Sequence, residues 1–125
     1  MLLPSVIVTS MTHSSNSSTI NEERQALLQS GWWNDYLNIS DHCAWDAITC
    51  NEAGSVIIIL GWKIPPSEEL RRLQNLNMSA FPNLEVLDLY GMSLRGSIPK
   101  EISTLTKLTD LYLTHNHLQG KLTAA

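Results

Sequence analysis

The feature that most constrains this chain is a period. Displaced by 24 residues, the chain meets itself: Leu84 falls on Leu108, Leu87 on Leu111, Leu89 on Leu113, Leu94 on Leu118 and Gly96 on Gly120. Phe81 meets Leu105 and Ile98 meets Leu122. Across Leu84–Glu101 the identities are all Leu or Gly, and every other pair differs. Shared geometry, not shared composition, accounts for that distribution. A unit this short cannot bury its leucines alone, whereas stacked units form one continuous core. Each buried leucine contributes about 2 kcal/mol, and ten of the nineteen leucines lie between Leu84 and Leu122.

Within each unit the spacing predicts a short strand, Leu87-x-Leu89 and Leu111-x-Leu113, with its leucines pointing inward. Asp88, Tyr90, Asp110, Tyr112 and Thr114 then alternate outward. Strands one coil apart stack in parallel, and the return path lies on the opposite side. Gly96 and Gly120 fall on that return path, where glycine permits a tight bend.

Upstream, Asn21–Gly31 reads as a short helix capped by Asn21, with Glu22 and Glu23 at its positive end and Gly31 as terminator. Ile20, Ala26, Leu27 and Trp32 supply its buried face. Residues 32–51 are loop material holding Trp33, Trp45, Cys43 and Cys50. Val56–Leu60 is the strongest strand signal and is stopped by Pro65-Pro66. Ser67–Leu76 reads as an amphipathic helix or 3₁₀ turn with Leu70, Leu73 and Leu76 inward. The two cysteines are too few for a four-thiolate zinc site. From spacing alone a disulfide, a metal pair and two buried thiols all stay open.

Residues 81–123 resemble two tandem leucine-rich repeats of the 24-residue plant type. Leu105, Leu108, Leu111, Leu113, Asn116, Leu118 and Gly120 fit that pattern, and Leu94-Arg-Gly-Ser-Ile-Pro99 fits its tail. Cys43-Ala-Trp45-Asp-Ala-Ile-Thr-Cys50 resembles the signature of the N-terminal cap that precedes such repeats. The resemblance implies an α/β leucine-rich-repeat solenoid, with one short parallel strand per coil and helical or 3₁₀ return segments. It further implies a Cys43–Cys50 disulfide, with Trp45 as a packing residue of the cap. The implied organisation is a partial leader and Ser/Thr-rich linker over 1–20, a cap over 21–53 and a degenerate first coil over 54–80. A repeat over 81–104 and an incomplete one over 105–125 follow. Two departures stand out: Met92 occupies the Asn position of the first repeat, and Ala47 replaces a cap glycine. In this family the Asn bonds backbone groups along the coil, so Met92 is expected to weaken one rung.

A net charge of -4 argues against a basic nucleic-acid binder, and no apolar run approaches membrane-spanning length. The catalytic patterns of phosphate-cradling loops, nucleophile elbows, zinc proteases and kinases are absent from the sequence. His115 and His117 flank Asn116, and His42 neighbours Cys43, without a metal-ligand pattern; no cofactor or metal is expected. Met1–Ser10 has the apolar content of a secretory leader but no basic start. Asn-x-Ser sequons at Asn16, Asn38 and Asn77 favour the secretory route. The expected role is a non-catalytic extracellular recognition module, the N-terminal part of a receptor-like kinase or receptor-like protein ectodomain. Its ligand would be a peptide or protein, with or without a co-receptor ectodomain, met on Asp88, Tyr90, Asp110, Tyr112 and Thr114. The alternatives are a freestanding secreted inhibitor or adaptor and a truncated product without activity of its own.

Overall fold

The computed structural model describes residues 19–120; the leader reading and Asn16 lie outside them. A helix, α1, runs over 19–30. It already includes Thr19 and Ile20, so Asn21 is an interior residue and not the cap expected of it. The far end is as anticipated: Gly31 adopts φ +76° and its N–H donates to the Leu28 carbonyl. Ala26 and Leu27 are buried. Glu23, expected at the positive end of the helix dipole, lies one turn into α1 and is fully buried, bonded to Ser55 and Val56 of the solenoid.

After α1 the chain forms two 3₁₀ turns, Asn34–Tyr36 and His42–Ala44. Their anchor is aromatic. Trp33 stacks between Trp32 and Trp45 at centroid distances of 5.8 and 6.2 Å, and Trp45 Nε1 donates to the Ile39 carbonyl at 2.9 Å. Cys43 and Cys50 are joined in a disulfide. Cys50 closes strand β1 (Ile48–Cys50), which pairs antiparallel with β2 (Val56–Leu60). The intervening turn is held by Asn51, whose Oδ1 accepts from the Ala53 and Ser55 N–H groups.

β2 opens the first coil. It pairs in parallel with β3 (Val86–Asp88), which pairs in parallel with β5 (Asp110–Tyr112). Leu87 and Leu111 are register partners on neighbouring rungs. The coil that spacing alone could not register is set by Ile58↔Val86 and Ile59↔Leu87, an advance of 28 residues where the next coil advances 24. Its longer path runs through Pro65–Leu70. Of the amphipathic helix or 3₁₀ turn expected over Ser67–Leu76, the 3₁₀ turn forms, at Leu73–Asn75; Leu73 and Leu76 are buried, whereas Leu70, expected inward with them, is 50% exposed.

The return path also differs from expectation. Besides 3₁₀ turns at Met78–Ala80 and Lys100–Thr104 it contains two strands, β4 (Arg95–Ser97) and β6 (His117–Gln119). These pair in parallel as a second sheet, with Arg95 opposite His117. That pairing lies two residues off the 24-residue match, which put Gly96 on Gly120. Both glycines have positive φ, +91° and +86°. A Cβ on Gly96 would also come within 2.1 Å of Gln74 Oε1 on the coil before. Between the sheets lies the core, in which Ile59, Leu73, Leu76, Phe81, Leu84, Leu87, Leu89 and Leu94 are fully buried.

Candidate recognition surface

The parallel ladder sets the surface opposite the core in rows. Ile58, Val86 and Asp110 form one; Leu60, Asp88 and Tyr112 form the next. Further along, Tyr90 and Thr114 continue side by side, the Gly91 N–H donating to the Thr114 carbonyl, and Trp62 stands in the 3₁₀ turn Gly61–Lys63 that follows β2. Neighbouring strands lie about 4.8 Å apart, so residues of one row are in lateral reach of each other. Trp62, Tyr90 and Tyr112 are about half exposed, at 52%, 45% and 50%. Asp110 and Thr114 are exposed, and Asp88 is half-buried. Asp88 has a local constraint, because its Oδ1 accepts from the Tyr90 N–H at 3.1 Å.

The face therefore combines half-exposed aromatic side chains with two carboxylates. His115 packs its ring against Tyr90 with centroids 4.6 Å apart, and Lys63 lies 5.7 Å over the Trp62 ring. Sequence spacing placed Asp88, Tyr90, Asp110, Tyr112 and Thr114 on this face but did not find Ile58, Leu60, Trp62 and Val86. The missing signal was the length of the first coil: with a 28-residue offset Ile58 falls on Val86 and Leu60 on Asp88. His117 lies apart, in the second sheet.

Asn116 fixes the rim of this face. Its Oδ1 accepts from the Met92 and Leu94 N–H groups at 3.0 and 2.9 Å, and its Nδ2 donates to the Leu89 and Leu113 carbonyls at 2.7 and 3.0 Å. Met92, expected to weaken one rung, makes no such bridge to the coil before. Carried back through the strand register, an Asn at 92 would meet the Ile64 N–H, which already donates to the Gly61 carbonyl. Pro65 and Pro66 follow, with no N–H to offer. Met92 instead fills the space above Gly61, where a Cβ would lie 2.3 Å from its sulfur.

Away from this face, one run of polar side chains is paired from residue to residue. Glu23 Oε1 accepts from the Val56 N–H and Oε2 from Ser55 Oγ; Ser55 Oγ accepts from Asn83 Nδ2, and Asn83 Oδ1 from Lys107 Nζ. This chain links α1 to all three coils. Burial raises the Glu23 carboxyl above its ordinary range, against the lowering effect of those two hydrogen bonds. Burial lowers His42, whose Nε2 is unpartnered and whose ring meets Trp45 edge-on. His42 lies within 4.8 Å of both cysteine sulfurs, but the sulfurs are spent on each other. Among the described residues no helix is long and apolar enough to cross a membrane.

A family profile described as Leucine Rich Repeat matches residues 83–105. The chain is 32% identical over 121 residues to the leucine-rich repeat receptor-like serine/threonine-protein kinase RGI4 of Arabidopsis thaliana, covering 83% of this chain and 10% of that protein. It is 29% identical over 102 residues to receptor-like protein 50 of the same plant, covering 63% of this chain and 11% of that one. It thus spans about a tenth of the length of these relatives. Among solved structures, a plant ice-binding protein superposes with TM-score 0.65 at 26% identity, over 82% of this chain and 35% of its own. The ectodomain of the Arabidopsis receptor kinase HAESA, in complex with an IDA peptide hormone ligand, superposes with TM-score 0.59 at 23% identity, over 84% and 18%. The latter likeness shows the fold alone.

Proposed function

We propose that this chain, a plant-type leucine-rich-repeat protein, serves as the N-terminal part of an extracellular recognition ectodomain that binds a peptide or protein ligand. The observation that carries the reading is the set of half-exposed aromatic side chains Trp62, Tyr90 and Tyr112 with Asp88 and Asp110, on a face that no loop among the described residues crosses. Rigid aromatic rings offer broad contact area at low entropic cost, and the two carboxylates favour a cationic group among them. The role is non-catalytic: ladder geometry positions side chains for complementarity and leaves ligand chemistry unchanged. Extracellular location is supported by the receptor relatives and by the disulfide, which persists in oxidising compartments. A kinase domain and a co-receptor belong to this reading only as parts of a larger assembly.

Selection of random dodecapeptides on the immobilised full chain tests it. Enriched peptides are expected to carry Arg or Lys next to apolar residues, and Tyr112→Ala should weaken their binding by about tenfold or more, the scale of a central aromatic anchor. Asp110→Asn should remove the preference for the cation. No enrichment over an unrelated solenoid, or binding indifferent to both substitutions, would overturn the reading.

A further inference from the structure

Of the two sequons within the described residues, one sits at a groove. Asn77-Met78-Ser79 opens the 3₁₀ turn Met78–Ala80, and both Asn77 and Ser79 are exposed while Met78 is buried. Ser79 Oγ donates to Asn77 Oδ1 at 2.6 Å, which fixes the carboxamide and leaves Nδ2 as its free end. Between this turn and α1 runs a groove of about 300 Å³. From α1 it is lined by Asn21, Gln25 and Gln29, at four-residue spacing on one face of the helix, and by the carboxylate-bearing Glu22. Ala26 and Ala80 supply its small apolar lining. Asn38-Ile39-Ser40 is different: it lies in a loop between exposed Leu37 and Ile39, and none of the three residues lines a groove with α1.

We infer that Asn77 is an N-glycosylation site and that the groove beside α1 seats the first N-acetylhexosamine of its glycan. The lining matches that sugar. Carboxamides donate to and accept from hydroxyls and the acetamido group, and the alanines meet its methyl. In the transfer, the Asn77 side-chain nitrogen bonds to the anomeric carbon of a polyprenyl-diphosphate-linked oligosaccharide. The carbon–oxygen bond to diphosphate breaks with its electron pair on oxygen, and the nitrogen gives up one proton. The seated sugar ties the first coil to the cap helix.

The inference rests on the extracellular reading, so the experiment separates the two. The full chain is expressed in plant cells behind a heterologous secretion leader, making entry to the secretory pathway independent of its own N-terminus. Peptide mapping after peptide N-glycosidase treatment should then find Asn77 converted to Asp, and N77Q and S79A should each remove one glycan. Amide exchange over residues 19–30 is compared in three forms: fully glycosylated, trimmed to one N-acetylglucosamine, and N77Q. Protection should be equal in the first two and fall by about tenfold in the third, the loss expected for one or two net hydrogen bonds. S79A should reproduce that fall, and N38Q should leave it unchanged. An unmodified Asn77, or protection of α1 indifferent to both sequon variants, overturns the inference.

Discussion

Gly61 and Met92 illustrate how one residue's absence of a side chain licenses another's bulk. Gly61 lies at the register position held by Leu89 in the next coil, and a Cβ there would clash with Met92 Sδ and approach Leu89 Cδ2 at 2.8 Å. Gly61→Ala should cost about 1–3 kcal/mol by overpacking, and the cost should shrink in a Met92→Ala background. A double-mutant cycle on urea midpoints checks this coupling; additive losses would show that the two sites are independent. The buried titratable groups give a second prediction. Glu23 has a raised folded pKa, so its contribution is present below its ordinary 4.5 and is lost as pH rises through the folded value. His42 has a lowered folded pKa, so the folded state loses stability as pH falls from its ordinary 6.5 toward the folded value. The two slopes have opposite signs, that of Glu23 setting in above 4.5 and that of His42 below 6.5. In thermal melts that span both values, Glu23→Gln should make stability rise more steeply with pH, and His42→Phe should make it fall. Unchanged slopes would show that neither group is coupled to folding.

At the level of elements, the cap hairpin depends on covalent closure. The disulfide joins residues with a sequence separation of 7 and ties the 3₁₀ turn bearing Cys43 to β1. Chain entropy assigns such a small ring about 2.5 kcal/mol. Cys43→Ser with Cys50→Ser should lower the unfolding free energy, read from denaturant melts, by that amount, and reductant should shift the native chain equally. A difference between the two would locate part of the effect in native-state packing around Trp45, whose ring and indole N–H are both engaged. The first coil shows the converse: its Pro65–Leu70 detour lengthens the path between strand and return without disturbing the ladder, because the extra residues are exposed.

Across the whole molecule, burial declines along the solenoid. Leu87 and Leu89 are fully buried, whereas their counterparts Leu111 and Leu113 are only half-buried, as is Leu118. In a stacked array each coil is stabilised by its neighbours. Amides of β5 and β6 in the 125-residue chain should therefore exchange at lower opening free energy than those of β2 and β3. Hydrogen exchange read by mass spectrometry checks the gradient, and uniform protection would contradict the nearest-neighbour account.

The repeat, the inward leucines and the outward set from Asp88 to Thr114 were legible in the chain itself. A parallel rung requires the same residue class at each return of the ladder, and periodicity records that requirement directly. The helix terminator Gly31 was legible for a similar local reason. Other features needed the folded molecule. The register of β2, and with it the place of Trp62 on the recognition face, depends on how a longer coil closes against its neighbour. The burial of Glu23 and the exposure of Leu70 depend on what packs across from them. Periodicity carries a residue's position within its own coil; contact between coils decides what that position meets.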